Sequence, residues 1–136
     1  MISLSIKGRP GYLAPTRQRP TWQRALSLNS RVHWRQQAAV KKRDKEDVYI
    51  AALACRDQIP ATPWDRANVT IDLYVKSNVT RDADNLYATV KGSLDGLKRA
   101  GIIKDDSTAV IGTPTIRVFK DTERAYEYVI TLEERP

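Results

Sequence analysis

The stretch VKSNVTRDADNLYATVKGSLDGLKRAGIIKDDSTAV, residues 75–110, decides how this chain reads. A strand ends at its start, a short polar loop follows, and Asp82-Ala83-Asp84-Asn85 opens a helix. Leu86, Val90, Leu94 and Leu97 step by four, four and three, the spacing of one buried helical face. The pattern predicts a helix from Asp84 to about Ala100, stopped by Gly101. Asp105-Asp106 then precedes the next strand.

Working outward, residues 69–76 (VTIDLYVK) alternate apolar and polar side chains, which predicts a half-buried strand. Residues 108–119 and 124–132 read as two more strands, joined through 121–123 as a hairpin. Upstream, Ile2 to Ile6 alternates and suits a short strand, and residues 25–28 suit a short extended piece. From about Trp34 to about Gln58, Ala38, Ala39, Val48, Ala51, Ala52 and Cys55 form an apolar stripe at helical spacing, stopped by Pro60. Residues 8–24 hold Gly8, Pro10, Gly11, Pro15 and Pro20 and read as an irregular loop insertion. Its cations and aromatics could track a nucleic-acid backbone or belong to a poorly ordered arm. The order strand, helix, strand, helix, strand, strand predicts an α+β fold: a small mixed β-sheet with two main helices on one side.

The chain's 136 residues suffice for a single domain, 1–136, with a modest core. No apolar run is long enough to cross a bilayer, and the first residues show no secretory signal. One cysteine, Cys55, allows no internal disulfide or cysteine-based metal site and reads as buried filler; a reducing cytoplasm is the expected compartment. Net charge is +7, unevenly spread: residues 1–45 contain eleven Lys/Arg against one acid, Asp44, and the remainder twelve against fifteen. A basic front end on a mildly acidic body is the footprint of a polyanion binder. A membrane surface fits less well, because the basic segment has no apolar helical face.

The acidic constellation suggests a chemistry. Phosphodiester hydrolysis needs an activated water and a stabilised leaving oxygen; hard divalent cations supply both and require oxygen ligands. Asp82 and Asp84, spaced i, i+2 at a strand–helix junction, can aim at one point, and a third carboxylate from Asp105-Asp106 could complete the pocket. Such carboxylates repel one another without a cation. Taken singly, each Asp reads as a helix cap or turn residue; the combination carries the signal. Lys91 lies seven positions after Asp84, on nearly the same side of the predicted helix, placed to meet a scissile phosphate or to be a solvated surface lysine.

Asp82-Ala83-Asp84-Asn85, Lys91, Leu94-Asp95-Gly96-Leu97, Gly101 and Asp105-Asp106-Ser107 together resemble the RusA family of Holliday-junction resolvases. Leu28-Asn29-Ser30-Arg31 is a weaker match to that family's Asn-rich N-terminal loop. The resemblance spans about residues 25–132 and is strong over 81–110. It implies that the essential carboxylates are Asp82, Asp84 and the Asp105-Asp106 pair, with Asp106 favoured, and that the catalytic or DNA-contacting lysine is Lys91. The family's lysine often sits four residues after the second Asp of the motif; here Ala88 occupies that position. The implied activity is a Mg²⁺-dependent endodeoxyribonuclease, with Mn²⁺ as a substitute, cutting four-way DNA junctions as a symmetric homodimer in recombination and repair. Asn29, Arg31, Arg35, Lys41, Lys42, Arg43 and Lys91 would hold the DNA arms, mostly through phosphates. No small-molecule cofactor is implied.

Other residues carry less. His33 reads as a capping or packing group, Trp34 and Trp64 as core or dimer residues rather than base-stacking platforms, Asp72 as a polar-face residue, and Asp95 as a partner of Lys91 one turn away. Two further functions compete: a non-catalytic DNA- or RNA-binding protein with a structural acidic cluster, and a metal-dependent phosphohydrolase of small nucleotides. The basic front end and the lack of a nucleoside-pocket motif disfavour the last.

Overall fold

The computed structural model describes residues 1–27, 30–76 and 83–136, the last stretch with its side chains from Leu86 onward. Its centre is a four-stranded mixed sheet. Strands β1 (Ile2–Lys7), β4 (Ala67–Val75), β5 (Thr115–Lys120) and β6 (Glu127–Glu134) lie in the order β1-β6-β4-β5. β6 is antiparallel to both of its neighbours, and β4 and β5 are parallel. A two-residue pair, β2 (Tyr12–Leu13) with β3 (Gln23–Arg24), stands apart within the N-terminal loop.

The alternation dictates which face is covered. Ile2, Leu4 and Ile6 of β1, Val69, Ile71 and Leu73 of β4, and Tyr128, Ile130 and Leu132 of β6 all point inward and are buried. Two main helices, α1 (Trp34–Ala54) and α3 (Lys91–Arg99), cover that face, contributing Val48, Ala52, Leu94 and Leu97 to one continuous core. The opposite face is polar: Arg117 grips Asp72 with two hydrogen bonds of 2.6 and 2.9 Å, and Tyr74 stacks on Phe119. The expected α+β architecture is therefore present.

Five local expectations need correction. The strands β5 and β6 do not form a hairpin, because β4 lies between them. β4 and β6 present fully buried inward faces, which suits the centre, whereas β5 carries Arg117 and Lys120 and is half exposed, which suits an edge. Parallel pairing of β4 with β5 requires a crossover, and the helical segment between them supplies it. The expected strand from residue 108 begins only at Thr115, after a one-turn helix α4 (Thr108–Ile111).

The helix expected over 84–100 is divided into α2 (Ala83–Thr89) and α3, with the break at Val90. Val90, Leu94 and Leu97 are nonetheless fully buried and Leu86 packs against them. The buried stripe of α1 is Val40, Asp44, Val48 and Ala52, with Ala38 and Ala39 exposed. Its spacing is helical, but a charged residue stands in the middle of it, which hid it from the apolar pattern. Residues 25–28 are not a strand as far as they are described; Ala25 and Leu26 are buried with Val40 in a small second cluster.

α1 and α3 run in the same direction and touch closely. A methyl at Gly92 would stand 2.8 Å from the carbonyl oxygen of Lys41, and one at Gly96 would stand 2.6 Å from Cβ of Val48. Two glycines one turn apart let the backbones meet. That approach places the basic first half of α1 alongside α3.

Candidate functional site

Gly101, at φ +79°, ends α3 and turns the chain back along it. The returning segment is pinned where Trp64 bridges Ile103, with Trp64 N–H donating to the Ile102 carbonyl and Lys104 N–H to that of Trp64. Asp105 then faces Lys98, 3.2 Å away, and Asp106 reaches Lys91 at 3.6 Å, one face of α3 being read backwards. The two adjacent aspartates differ in setting. Asp105 is held below the usual carboxylate range by hydrogen bonds from Lys98, from the Asp106 backbone N–H and from Ser107. The side chain of Asp106 is 17% exposed, against 42% for Asp105, and faces α3.

Asp95 is the residue that sequence reasoning undervalued. Burial, followed by hydrogen bonding to the Asp106 carboxyl and its like charge, raises the pKa of the Asp95 carboxyl. Lys91 does not pair with Asp95 alone. Burial disfavours its charge, but Tyr87, Asp106 and Asp95 outweigh that and hold the ammonium above the usual lysine range. Its nitrogen also lies 5.5 Å from the centre of the Tyr87 ring. The Lys91-to-Asp95 spacing was visible in the sequence; the return of Asp106 onto both was not.

The break at Val90 removes the single-helix argument that linked Asp84 with Lys91, since they belong to different helices. Asn29 and Asp82 lie outside the described residues, as do the side chains of Asp84 and Asn85. Among the described residues, no three His, Cys, Asp or Glu side chains cluster to hold a metal ion. Two carboxyls are brought together, those of Asp95 and Asp106, and oxygen is the donor a hard divalent cation takes. Their mutual repulsion is the kind that a cation relieves.

The surroundings are basic. A cleft of about 250 Å³ runs beside Lys91, lined by Leu26, Ser27, Gln37, Lys41, Tyr87 and Ala88. A second groove between α1 and α3 is lined by Lys41, Lys42, Lys45, Glu46, Asp95 and Arg99. Lys45, Lys98 and Arg99 thus join the cations singled out from sequence. Arg99 also bonds Glu46 and lies over Tyr49, which ties the far end of α3 to α1.

The remaining sequence candidates divide. Arg31, Arg35, Lys41 and Lys42 are exposed on or just before the first half of α1. Arg43 turns inward, donating to the carbonyls of Tyr12 (2.6 Å) and Arg9 (3.1 Å) and to Asp44 (2.7 Å). Asp44 in turn accepts from Gly11 N–H at 2.7 Å, so residues 9–12 are tied to α1. His33 caps α1, its Nδ1 accepting from Arg35 N–H at 3.1 Å. Trp64 packs against the core; Trp34 is 67% exposed, which removes the core half of its core-or-dimer expectation. Cys55 is half-buried at the end of α1, and burial raises its thiol pKa.

Neither a scan against protein-family models nor a search of curated proteins finds a match for this chain. No helix among the described residues is long and apolar enough to cross a membrane.

Proposed function

We propose that this chain is a metal-dependent, structure-selective endodeoxyribonuclease that resolves four-way DNA junctions as a homodimer, in the manner of the RusA-type enzymes its 81–110 segment resembles. The observation that carries the reading is the return of Asp106 onto Asp95 and Lys91 beside a cleft lined by Lys41. Asp82, Asp84 and Asp106 would hold Mg²⁺ or Mn²⁺. The bound ion would supply an activated water and stabilise the leaving oxygen. Lys91, kept protonated by its neighbours, is placed to neutralise charge on a phosphoryl oxygen. Exposed Arg31, Arg35, Lys41 and Lys42 would position the arms through phosphates, without reading sequence. A two-fold junction calls for two equal, opposed sites, which a C₂ dimer provides. A DNA substrate and a lone cysteine would suit a reducing cytoplasm.

A second reading is a non-catalytic DNA- or RNA-binding protein. It is favoured by the Lys91–Asp106 ion pair, which satisfies both groups without any ligand. One assay separates the two: a synthetic four-way junction incubated with Mg²⁺, then with EDTA. The nuclease reading expects paired nicks across the junction only with metal. Asp84→Asn should keep binding and abolish nicking; retained cutting removes Asp84 from the site. Salt-sensitive binding with no nicks in either buffer would establish the binder.

A further inference from the structure

Trp34 begins α1 with 67% of its surface open to solvent. An indole is one of the largest apolar side chains, and most are largely covered. This one is held in place: the His33 ring stacks on it at 5.6 Å, and the Arg35 guanidinium lies 5.3 Å from its centre. The same Arg35 donates its backbone N–H to His33, so the three residues form one ordered unit. Around it the chain is purely cationic. The first acidic residue anywhere in the sequence is Asp44, and that carboxylate is buried.

The position of Trp34 matters as much as its exposure. Lys41 follows it by seven residues and Lys45 by eleven, so all three share a face of α1. Lys41 lines the cleft beside Lys91, whose ammonium contacts Asp106. Trp34 therefore stands about 10 Å along the helix from Lys41, the α1 cation that shares a cleft with Lys91, roughly three stacked bases at 3.4 Å each.

We infer that Trp34 is a base-stacking residue, which engages an unpaired nucleobase while Lys41 and Lys91 hold the phosphates of the same strand. Every base has a π face, but in an intact duplex both faces are covered; they become available at branch points and in single strands. Trp34 would thus be a determinant of structure selectivity. A second copy of the chain is the poorer occupant, because a symmetric contact at Trp34 would bring Arg31, Arg35, Lys41 and Lys42 against their own copies. The inference rests on the nucleic-acid reading above.

The test is binding of the full chain, in EDTA, to three DNAs of equal nucleotide content: a four-way junction, a single strand and a relaxed, covalently closed circular duplex, the closed duplex without ends or loops. Trp34→Ala should weaken binding to the junction and the single strand about tenfold and leave the closed duplex unchanged. Trp34→Phe should stay within about threefold of the parent on all three. A 2-aminopurine at the branch point should lose fluorescence with the parent protein and not with Trp34→Ala. An equal loss on all three DNAs, or no loss on any, overturns the inference while leaving DNA binding and cutting intact. A loss confined to the dimer, seen by sedimentation, overturns it in favour of a subunit contact. Failure of the parent chain to bind any of the three sinks the nucleic-acid reading and this inference together.

Discussion

Asp44 and Asp106 are both aspartates packed beside α3, and they make opposite use of it. Asp44 is 1% exposed, accepts from a backbone N–H, and is gripped by Arg43. Its carboxylate has its partners and no open space. Asp106 faces a second carboxyl and a lysine, Lys91, that itself lines a cationic cleft. The two meet at neighbouring residues: Gly92 touches Asp44, and Lys91 touches Asp106. A buried acid with complete partners is an anchor, whereas an acid set against another acid is a candidate for chemistry.

The largest effect should come from the second of these. Asp106→Asn is expected to lower metal-dependent junction cleavage by at least about a thousandfold, as loss of a metal ligand or transition-state group does. Its melting temperature should stay within a few degrees of the parent, since the change also relieves repulsion with Asp95. Nicking rates and a thermal melt on the same sample check both halves; unchanged cutting would leave Asp106 with only a structural role.

The converse substitution should spare chemistry and damage the fold. Asp44→Ala leaves the Gly11 N–H and the Arg43 guanidinium without their acceptor and is expected to cost about 3 kcal/mol in urea unfolding. Loss of residues 9–12 from α1 would appear as early proteolysis near Gly11.

Gly92→Ala probes the place where the two regions join. The added methyl meets a backbone carbonyl at 2.8 Å and Cβ of Asp44 at 3.0 Å, so the helices must separate. A loss of about 2 kcal/mol is expected, together with slower cutting because Lys91 moves with its helix. Stability loss with full activity would show that the anchor and the cleft are mechanically independent.

The smallest effect is a pH dependence. Burial, opposed by Arg43, pushes Asp44 up to about 6 from 3.8. Because the folded value is the higher, the native state binds the proton more tightly. Asp44's contribution is greatest below about pH 4 and is lost as pH rises through 6. Asp44→Asn cannot titrate, so between pH 7 and pH 4 the parent should gain about 2 kcal/mol relative to the variant. Parallel stability curves for the two proteins would refute the raised value.

Much of this contrast could not be seen in the order of residues. Asp44 lies in the run KKRDK and reads as one more solvated charge; only its place in the Val40–Val48–Ala52 stripe marks it as buried. The DxDN and DD motifs read as a constellation because they combine more acids than two helix caps require, but Asp82 and the side chain of Asp84 lie outside the described residues. Asp95 was legible only as the i+4 neighbour of Lys91, since the turn that returns Asp106 to it depends on the Trp64–Ile103 bridge, 39 residues apart in sequence. The Gly92–Gly96 spacing was in view as well, but its consequence depends on which helix lies opposite.

Local order alone determined the alternating strands β1, β4 and β6, the start of α1 at Trp34 (its end, expected near Gln58, falls at Ala54), the core positions Val90, Leu94 and Leu97, and the cationic front end. These follow from periodicity and charge, which each segment carries within itself. Tertiary structure alone decided that β4 separates β5 from β6, that the second helix breaks at Val90, and that Arg43 turns inward while Trp34 stays outside. Such choices depend on which surfaces compete for the same buried space, and that competition is settled only when distant segments meet.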